Sequence, residues 1–250
     1  MMKLLKYDLK RNANTFLGLA AVLVIVQGLI SVFGNLRHWE EGAILALSVI
    51  LYASSAIIMI VLVCKTFGQN IKAYHRRLLP VTPVWSIVSS LLFSWIVALA
   101  IAVIIAAHAF LYLRFAGIPV NFDWGPVGIK DWILVALGAL WLYTLLIITI
   151  FMAMTIGASV SVNGKAGTWV GIIAFFVIQN GMSWLESLIF GNNDPAIMKF
   201  AVFHVGLEEV DAGTPVGASI LSLGPFLFEL VLAALMFYAI TYLLRKKVEI

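Results

Sequence analysis

Six long apolar runs constrain this chain most strongly, because each is about as long as the ~20 residues that a transmembrane helix needs. None of them alternates apolar and polar residues as the strands of a membrane β-barrel do. Only 11% of the residues are charged, against about 25% in soluble domains. The pattern predicts an all-α polytopic membrane protein in which residues 1–250 form one transmembrane domain. The predicted spans are Phe16–Gly34, Ala43–Val63, Val84–Tyr112, Trp132–Val160, Gly167–Phe190 and Ala218–Leu244.

The positions of Lys and Arg predict the orientation, because these residues are enriched in cytoplasmic loops. With the N-terminus inside, twelve of the sixteen basic residues fall on the inner side of the membrane. We therefore expect a cell-membrane protein with both termini in the cytoplasm. The net charge of +4 is explained by orientation, so no nucleic-acid partner is expected. The four basic residues expected outside are Arg37, Arg114, Lys130 and Lys199.

Residues 1–15 precede the first span and combine leucines that can share one side of a helix with regularly spaced lysines. This combination predicts a short helix lying in the inner membrane interface. The alternative is an ordinary basic flank that only orients the first span. The leucines are Leu4, Leu5 and Leu9, and the lysines are Lys3, Lys6 and Lys10.

The stretch YHRRLLPVTPVWSIVSSLL, residues 74–92, places a basic cluster and two prolines directly before the third apolar run. Pro80 and Pro83 stop a preceding helix, whereas a proline in the first turn of the next helix is tolerated. The stretch therefore predicts a cytoplasmic helix between spans two and three, then a sharp corner, then a span.

Part of this stretch, LLPVTPVWSIVSSLL, resembles the corner after the second span in ABC-2 type transporter permeases. Those permeases often show Leu-Pro-Val-Ser/Thr there, followed by a span entered through Ile-Val and Leu-Leu. The chain departs from the pattern at Pro83, where the family often has a basic residue, and at Ser89 and Ser90. The matching residues are Leu79, Pro80, Val81, Thr82, Ile87, Val88, Leu91 and Leu92.

The resemblance implies the permease subunit of an ATP-driven exporter that carries a hydrophobic or amphipathic peptide, drug or lipid. Its expected partners are membrane lipids, a second permease subunit in a homo- or heterodimer, and a separate ATPase. That ATPase would hold ATP and Mg, so no cofactor is expected on this chain. In the family the loop after the second span is a coupling helix seated on the ATPase; a loop that only touches lipid headgroups is the alternative. The resemblance gives this coupling role to Gln69, Asn70, Lys72, Tyr74, His75, Arg76 and Arg77.

Two polar residues inside the predicted spans are further candidates. Glu229 lies about ten residues into the last span, where an ionisable group must face protein or water. It is either a polar point on the translocation path or a protonated side chain bonded to a neighbouring helix. His108 lies near the outer end of the third span and is expected to be packed or interfacial rather than a ligand.

Small residues recur every four positions in two spans, which favours close helix packing. We expect them to pack within one chain, and a dimer seam is the alternative. In the third span the series drifts about 40° at each step, so it winds around the helix. The two series are Ser86, Ser90, Ser94, Ala98, Ala102 and Ala106, and Ala153, Gly157 and Ser161.

Motifs that would indicate catalysis are weak. The sequence NGK at 163–165 lacks the glycine spacing and the following Ser/Thr of a phosphate-binding loop. The chain contains no HExxH motif and has a single cysteine, so no catalytic or metal-binding residue is predicted. Two alternatives remain open: an intramembrane enzyme that uses Glu229 and His108, and a membrane binding or immunity protein without an ATPase.

Overall fold

The protein forms six α-helices in the computed structural model, which describes residues 2–72, 83–115, 129–160, 165–190 and 223–246. Within those ranges there is no β-strand, and all six helices are long and apolar enough to cross a membrane. The predicted all-α class with six spans is confirmed. The helices are α1 Met2–Leu36, α2 Glu41–Lys72, α3 Pro83–Phe115, α4 Ile129–Val160, α5 Lys165–Phe190 and α6 Leu223–Lys246.

Large apolar side chains are exposed on every one of these helices. A water-soluble helix would carry polar residues on that face, whereas a helix that is apolar around its whole circumference is buried in protein or lipid. The exposed faces therefore fit the hydrocarbon core of a bilayer. Examples from α1 to α6 in order are Leu17, Val49, Val103, Leu137, Trp169 and Leu235.

The chain divides into two compact units, Met1–Phe122 and Asp123–Ile250. In the first unit, α1, α2 and α3 each pack against the other two, and Phe67 and Phe93 are buried among them. In the second unit, α4 packs along both α5 and α6, which barely contact each other. The described residues of each half thus form a three-helix bundle.

The N-terminal segment differs from the predicted arrangement because residues 2–15 continue into the first span without a break. At 1.5 Å per residue, this single helix is about 52 Å long, whereas the hydrocarbon core is only ~30 Å thick. Part of α1 must therefore extend beyond the hydrocarbon core of any bilayer that it crosses. Asp8 and Asn12 in this segment are buried, so it is packed protein as well as a basic flank. An interfacial position for residues 1–15 stays a prediction.

A tight turn joins α1 to α2. The backbone N–H of Trp39 donates to the carbonyl of Gly34 at 2.9 Å, and His38 adopts a left-handed conformation with φ of 52°. Gly34 allows a close contact there, because an added Cβ would lie 2.8 Å from the side chain of Ile44, which would have to shift. This close approach lets the end of α1 pack directly on the start of α2.

The small residues of α4 lie against α5. An added Cβ on Gly157 would collide with the carbonyl oxygen of Gly167 and lie 3.1 Å from the nitrogen of Gly171. A Cβ on Gly171 would in turn lie 3.3 Å from the carbonyl oxygen of Ala153. Ala153 and Gly157 therefore pack within the chain, as predicted, while Ser161 lies outside the described residues.

The small residues of α3 divide between two environments. Ser90 and Ser94 are buried inside the first unit, whereas Ala102 and Ala106 are exposed. This change agrees with the drift of about 40° per four-residue step, which carries the series from the inside of the bundle to the outside. Pro83 is the first residue of α3, the position at which a proline costs a helix least.

Candidate functional site

Six polar residues of α1, α2 and α3 meet at the end of the first unit from which α1 and α3 start. We call this group the Asp8 cluster. A helix places residues three or four apart on one face, which brings Asp8 beside Arg11 and Thr66 beside Asn70. The cluster consists of Asp8, Arg11, Thr66, Asn70, Ser89 and Ser90.

Asn70 of α2 joins the other two helices directly. Its Nδ2 donates to Oδ2 of Asp8 at 3.2 Å and to Oγ of Ser90 at 3.0 Å. Ser89 Oγ of α3 donates to the same Asp8 oxygen at 3.1 Å. The Asp8 carboxylate therefore accepts hydrogen bonds from two neighbouring helices, and Asp8 itself is completely buried.

Arg11 supplies the positive charge that a buried carboxylate requires. Its Nη2 lies 3.5 Å from Oδ1 of Asp8 and donates to Oδ1 of Asn70 at 3.2 Å. The guanidinium carbon also lies 5.6 Å from the centroid of the Tyr7 ring, within range of a cation–π contact. Both residues belong to α1, and removing the partly exposed Arg11 would leave the buried Asp8 charge without its cation.

The predicted coupling residues fall partly inside the described structure. Gln69 is exposed, Asn70 is buried in the Asp8 cluster, and Lys72 is the last residue of α2. Residues 69–72 therefore belong to α2, and a coupling helix stays a prediction. The remaining four predicted residues, Tyr74, His75, Arg76 and Arg77, lie outside the described residues.

His108 lies between two hydroxyl groups toward the other end of the first unit. Its Nε2 is 2.9 Å from Oγ of Ser31, and its Nδ1 is 2.6 Å from the hydroxyl of Tyr52. Ser31 Oγ also donates to the backbone carbonyl of Gln27 at 3.0 Å. The hydroxyl of Tyr52 can donate to Nδ1, and Nε2–H can donate to Ser31, whose own hydroxyl donates to Gln27. In this arrangement each of the three donors has an acceptor, and the imidazole is neutral.

The hydroxyl of Ser31 is therefore already committed to a backbone carbonyl, so the geometry describes a satisfied structural network rather than an activated nucleophile. His108 is further held by stacking on Tyr112, with ring centroids 6.3 Å apart. The prediction that His108 is a packed residue is consistent with these contacts. Within the described ranges, no group of three or more His, Cys, Asp or Glu residues could hold a metal ion.

Glu229 has a partner on a neighbouring helix in the second unit. The Nε1–H of Trp141 on α4 donates to Oε2 of Glu229 at 2.6 Å, and the same indole packs on Phe226 at a centroid distance of 5.1 Å. Glu229 lies six residues after Leu223, about 9 Å along α6. The Glu229 side chain is thus bonded to a neighbouring helix, while its protonation and a position on a translocation path stay predictions.

Sequence reasoning missed Asp8, Arg11 and Trp141. Asp8 carried a usable signal, because it is the only acid among four basic residues before the first span. An acid contributes little to orientation and weakens the attraction to anionic headgroups, which points to another role. Arg11 carried no comparable signal, since basic flanks are common in membrane proteins, and nothing near Trp141 in the sequence pointed to Glu229.

The two three-helix units and their lipid-compatible surfaces define the class: a multi-pass α-helical membrane protein with buried polar contacts between its spans. Comparisons with protein-family models, with curated proteins and with solved structures give no match.

Proposed function

We propose that this chain is the permease subunit of an ATP-driven exporter of the ABC-2 type. It acts with a second permease subunit, as a homo- or heterodimer, and with a separate ATPase that holds ATP and Mg. The chain lies in the cell membrane with both termini in the cytoplasm. Its substrate is hydrophobic or amphipathic, in keeping with the apolar character of the spans.

The observation that carries this proposal is the attachment of Asn70 to both neighbouring helices. Asn70 lies four residues before Tyr74, which begins the basic loop that we propose as the ATPase contact. A force applied to that loop acts on the end of α2. Through Asn70 it acts on α1 at Asp8 and on α3 at Ser90, so the first unit is displaced as one body.

The two faces of this part of α2 have different proposed roles. Asn70 is 6% exposed and faces the bundle, whereas Gln69 is exposed and faces outward. We therefore assign Gln69, Lys72, Tyr74, His75, Arg76 and Arg77 to contact with the ATPase, and Asn70 to transmission of the movement. Arginine side chains suit such a surface, because the guanidinium offers forked donors to carboxylates of a partner.

The experiment compares the wild-type chain with the triple variant Tyr74→Ala, Arg76→Glu, Arg77→Glu, each purified with a tag from its native membrane. The wild type is expected to bring with it an ATPase that carries the GxxxxGK[ST] motif. The triple variant is expected to insert normally and to lose that ATPase. Single charge changes are expected to have small effects, since exposed ion pairs contribute only ~0–1 kcal/mol.

Arg245→Glu with Lys246→Glu is the matched control, because it removes basic residues of the predicted inner side that are not part of the loop in the sequence. It is expected to keep the ATPase. If the wild type brings no ATPase, or if the triple variant keeps its topology and its ATPase, the exporter assignment is wrong.

A further inference from the structure

An open groove of about 430 Å³ runs along the first unit between α1 and α3. Its volume lies within the ~300–1,000 Å³ range of small-molecule sites. The floor is apolar and tightly packed, because Phe93 and Val97 of α3 are buried there. Phe16 of α1 completes the apolar lining. The groove is therefore shaped for an apolar chain.

Two lysines, Lys6 and Lys10, line the end of this groove nearest the N-terminus, and because almost all of the groove surface is apolar they line it with their hydrocarbon stems. They are one helical turn apart, so they project on the same side of α1. Both are exposed, and no carboxylate in the described part of the chain forms an ion pair with either of them. Arg11, by contrast, is turned away from the groove residues to Asp8.

The positive charges at one end of the groove indicate which kind of ligand it can bind. A phosphate group accepts hydrogen bonds from the Lys ammonium groups, which act as compact positive charges. From Lys6 the groove residues of α1 continue to Leu17, a distance of about 16 Å along the helix axis. An anion at one end and an apolar chain along the rest describe an anionic phospholipid.

We propose that the groove between α1 and α3 binds one anionic glycerophospholipid, with its phosphate between Lys6 and Lys10 and an acyl chain beside Phe16 and Phe93. The lipid belongs to the leaflet that faces the N-terminus of α1. This site does not depend on the exporter proposal, because it follows from the groove and its charges alone. It gives residues 1–15 a binding role in addition to orientation of the chain.

The test measures how much phosphatidylglycerol remains bound to the full-length chain after purification from mixed phosphatidylglycerol and phosphatidylcholine nanodiscs, by native mass spectrometry. Basic residues at a membrane surface each contribute about 1 kcal/mol, so each lysine is expected to change retention about fivefold. Lys6→Gln with Lys10→Gln is expected to lose phosphatidylglycerol and to leave phosphatidylcholine unchanged. Lys6→Arg with Lys10→Arg is expected to keep it.

Lys3→Gln is the matched control for charge, because Lys3 is an exposed lysine of the same segment that does not line the groove. It is expected to retain the lipid as the wild type does. If Lys3→Gln lowers retention as much as Lys6→Gln or Lys10→Gln alone, general surface electrostatics explains the binding and the site is refuted.

A second pair of variants tests the acyl chain. Ala13→Phe fills the groove, whereas Ala21→Phe adds the same ring to an exposed position of α1 outside it. We expect Ala13→Phe to lower phosphatidylglycerol retention and Ala21→Phe to leave it unchanged. Equal retention by these two variants overturns the proposed acyl-chain position.

Inorganic phosphate is expected to leave the unfolding temperature of the protein unchanged. An increase equal to that from phosphatidylglycerol would show that the site binds free anions instead.

Discussion

Asp8 and Asn70 lie sixty-two positions apart in the sequence, and their side chains are joined by a hydrogen bond of 3.2 Å. Both side chains are buried, so water cannot replace either partner. A buried polar group without a partner costs about 1–3 kcal/mol, and a buried charge costs more. The link therefore holds α1 and α2 in a fixed register at the end of α2 that leads into the basic loop.

Ser89→Ala tests the strength of the Asp8 cluster. The change removes one of the donors to the buried Asp8 carboxylate, and hydrogen bonds to charged groups contribute about 1.5–3 kcal/mol. We expect the free energy of unfolding, measured by titration with denaturing detergent, to fall by about that amount. Ser54→Ala is the control, because Ser54 is an exposed serine bonded only to the carbonyl of its own helix. Equal losses in the two variants would contradict a stabilising role for the cluster.

Gly157→Ala tests the contact between α4 and α5. The new Cβ collides with the carbonyl oxygen of Gly167, so the helices must separate, and overpacking of this kind costs about 1–3 kcal/mol. We expect a matching fall in the free energy of unfolding and a smaller fall for Gly171→Ala.

Gly181→Ala is the control for that experiment, because its added Cβ meets nothing within 4 Å. Alanine is favoured over glycine inside a helix, so we expect this variant to be neutral or to gain about 0.5–1 kcal/mol. A loss in Gly181→Ala as large as that in Gly157→Ala would show that close helix packing is not the cause.

Glu229 and Trp141 are suited to a double-mutant cycle. Glu229→Gln is expected to be well tolerated, because the amide oxygen can still accept the indole N–H. Glu229→Leu leaves that N–H without its acceptor and is expected to cost about 1–3 kcal/mol of unfolding free energy.

In a Trp141→Phe background the donor is absent while an aromatic ring remains, so the loss caused by Glu229→Leu is expected to shrink. An unchanged loss would mean that the hydrogen bond does not contribute. The proposed export activity, measured on Glu229→Gln once its folding is verified, separates the structural role from the proposed role of a charge on a translocation path.

The orientation can be tested with single cysteines in a Cys64→Ser background. Gln69 and Asn35 are exposed positions at opposite ends of the first unit, whereas Asn70 is buried and would react poorly. Because the basic residues predict a cytoplasmic Gln69, an impermeant thiol reagent added outside the cell should label Asn35→Cys and spare Gln69→Cys. Labelling of Gln69→Cys alone would show that the chain has the opposite orientation and that the prediction is wrong.

The number and approximate extent of the spans could be predicted from the sequence, because the transfer of a long apolar helix into lipid depends on its own residues and not on its neighbours. The start of α3 near Pro83 could be predicted for a similar reason, since a proline is tolerated in the first turn of a helix. The close packing of Gly157 was also accessible, because small residues at four-residue spacing permit close approach of any neighbouring helix.

The partners of the polar residues were decided by the tertiary structure. Asn70 was predicted to face an ATPase, and the structure turns its side chain toward Asp8 and Ser90. Glu229 could be recognised as needing a partner, but nothing near it in the sequence identified Trp141, eighty-eight positions away. Helices that are apolar on all sides do not reveal which face turns inward, because lipid and protein interior are equally apolar. Helix rotation and register, which bring such residues together, are therefore fixed only when the helices pack.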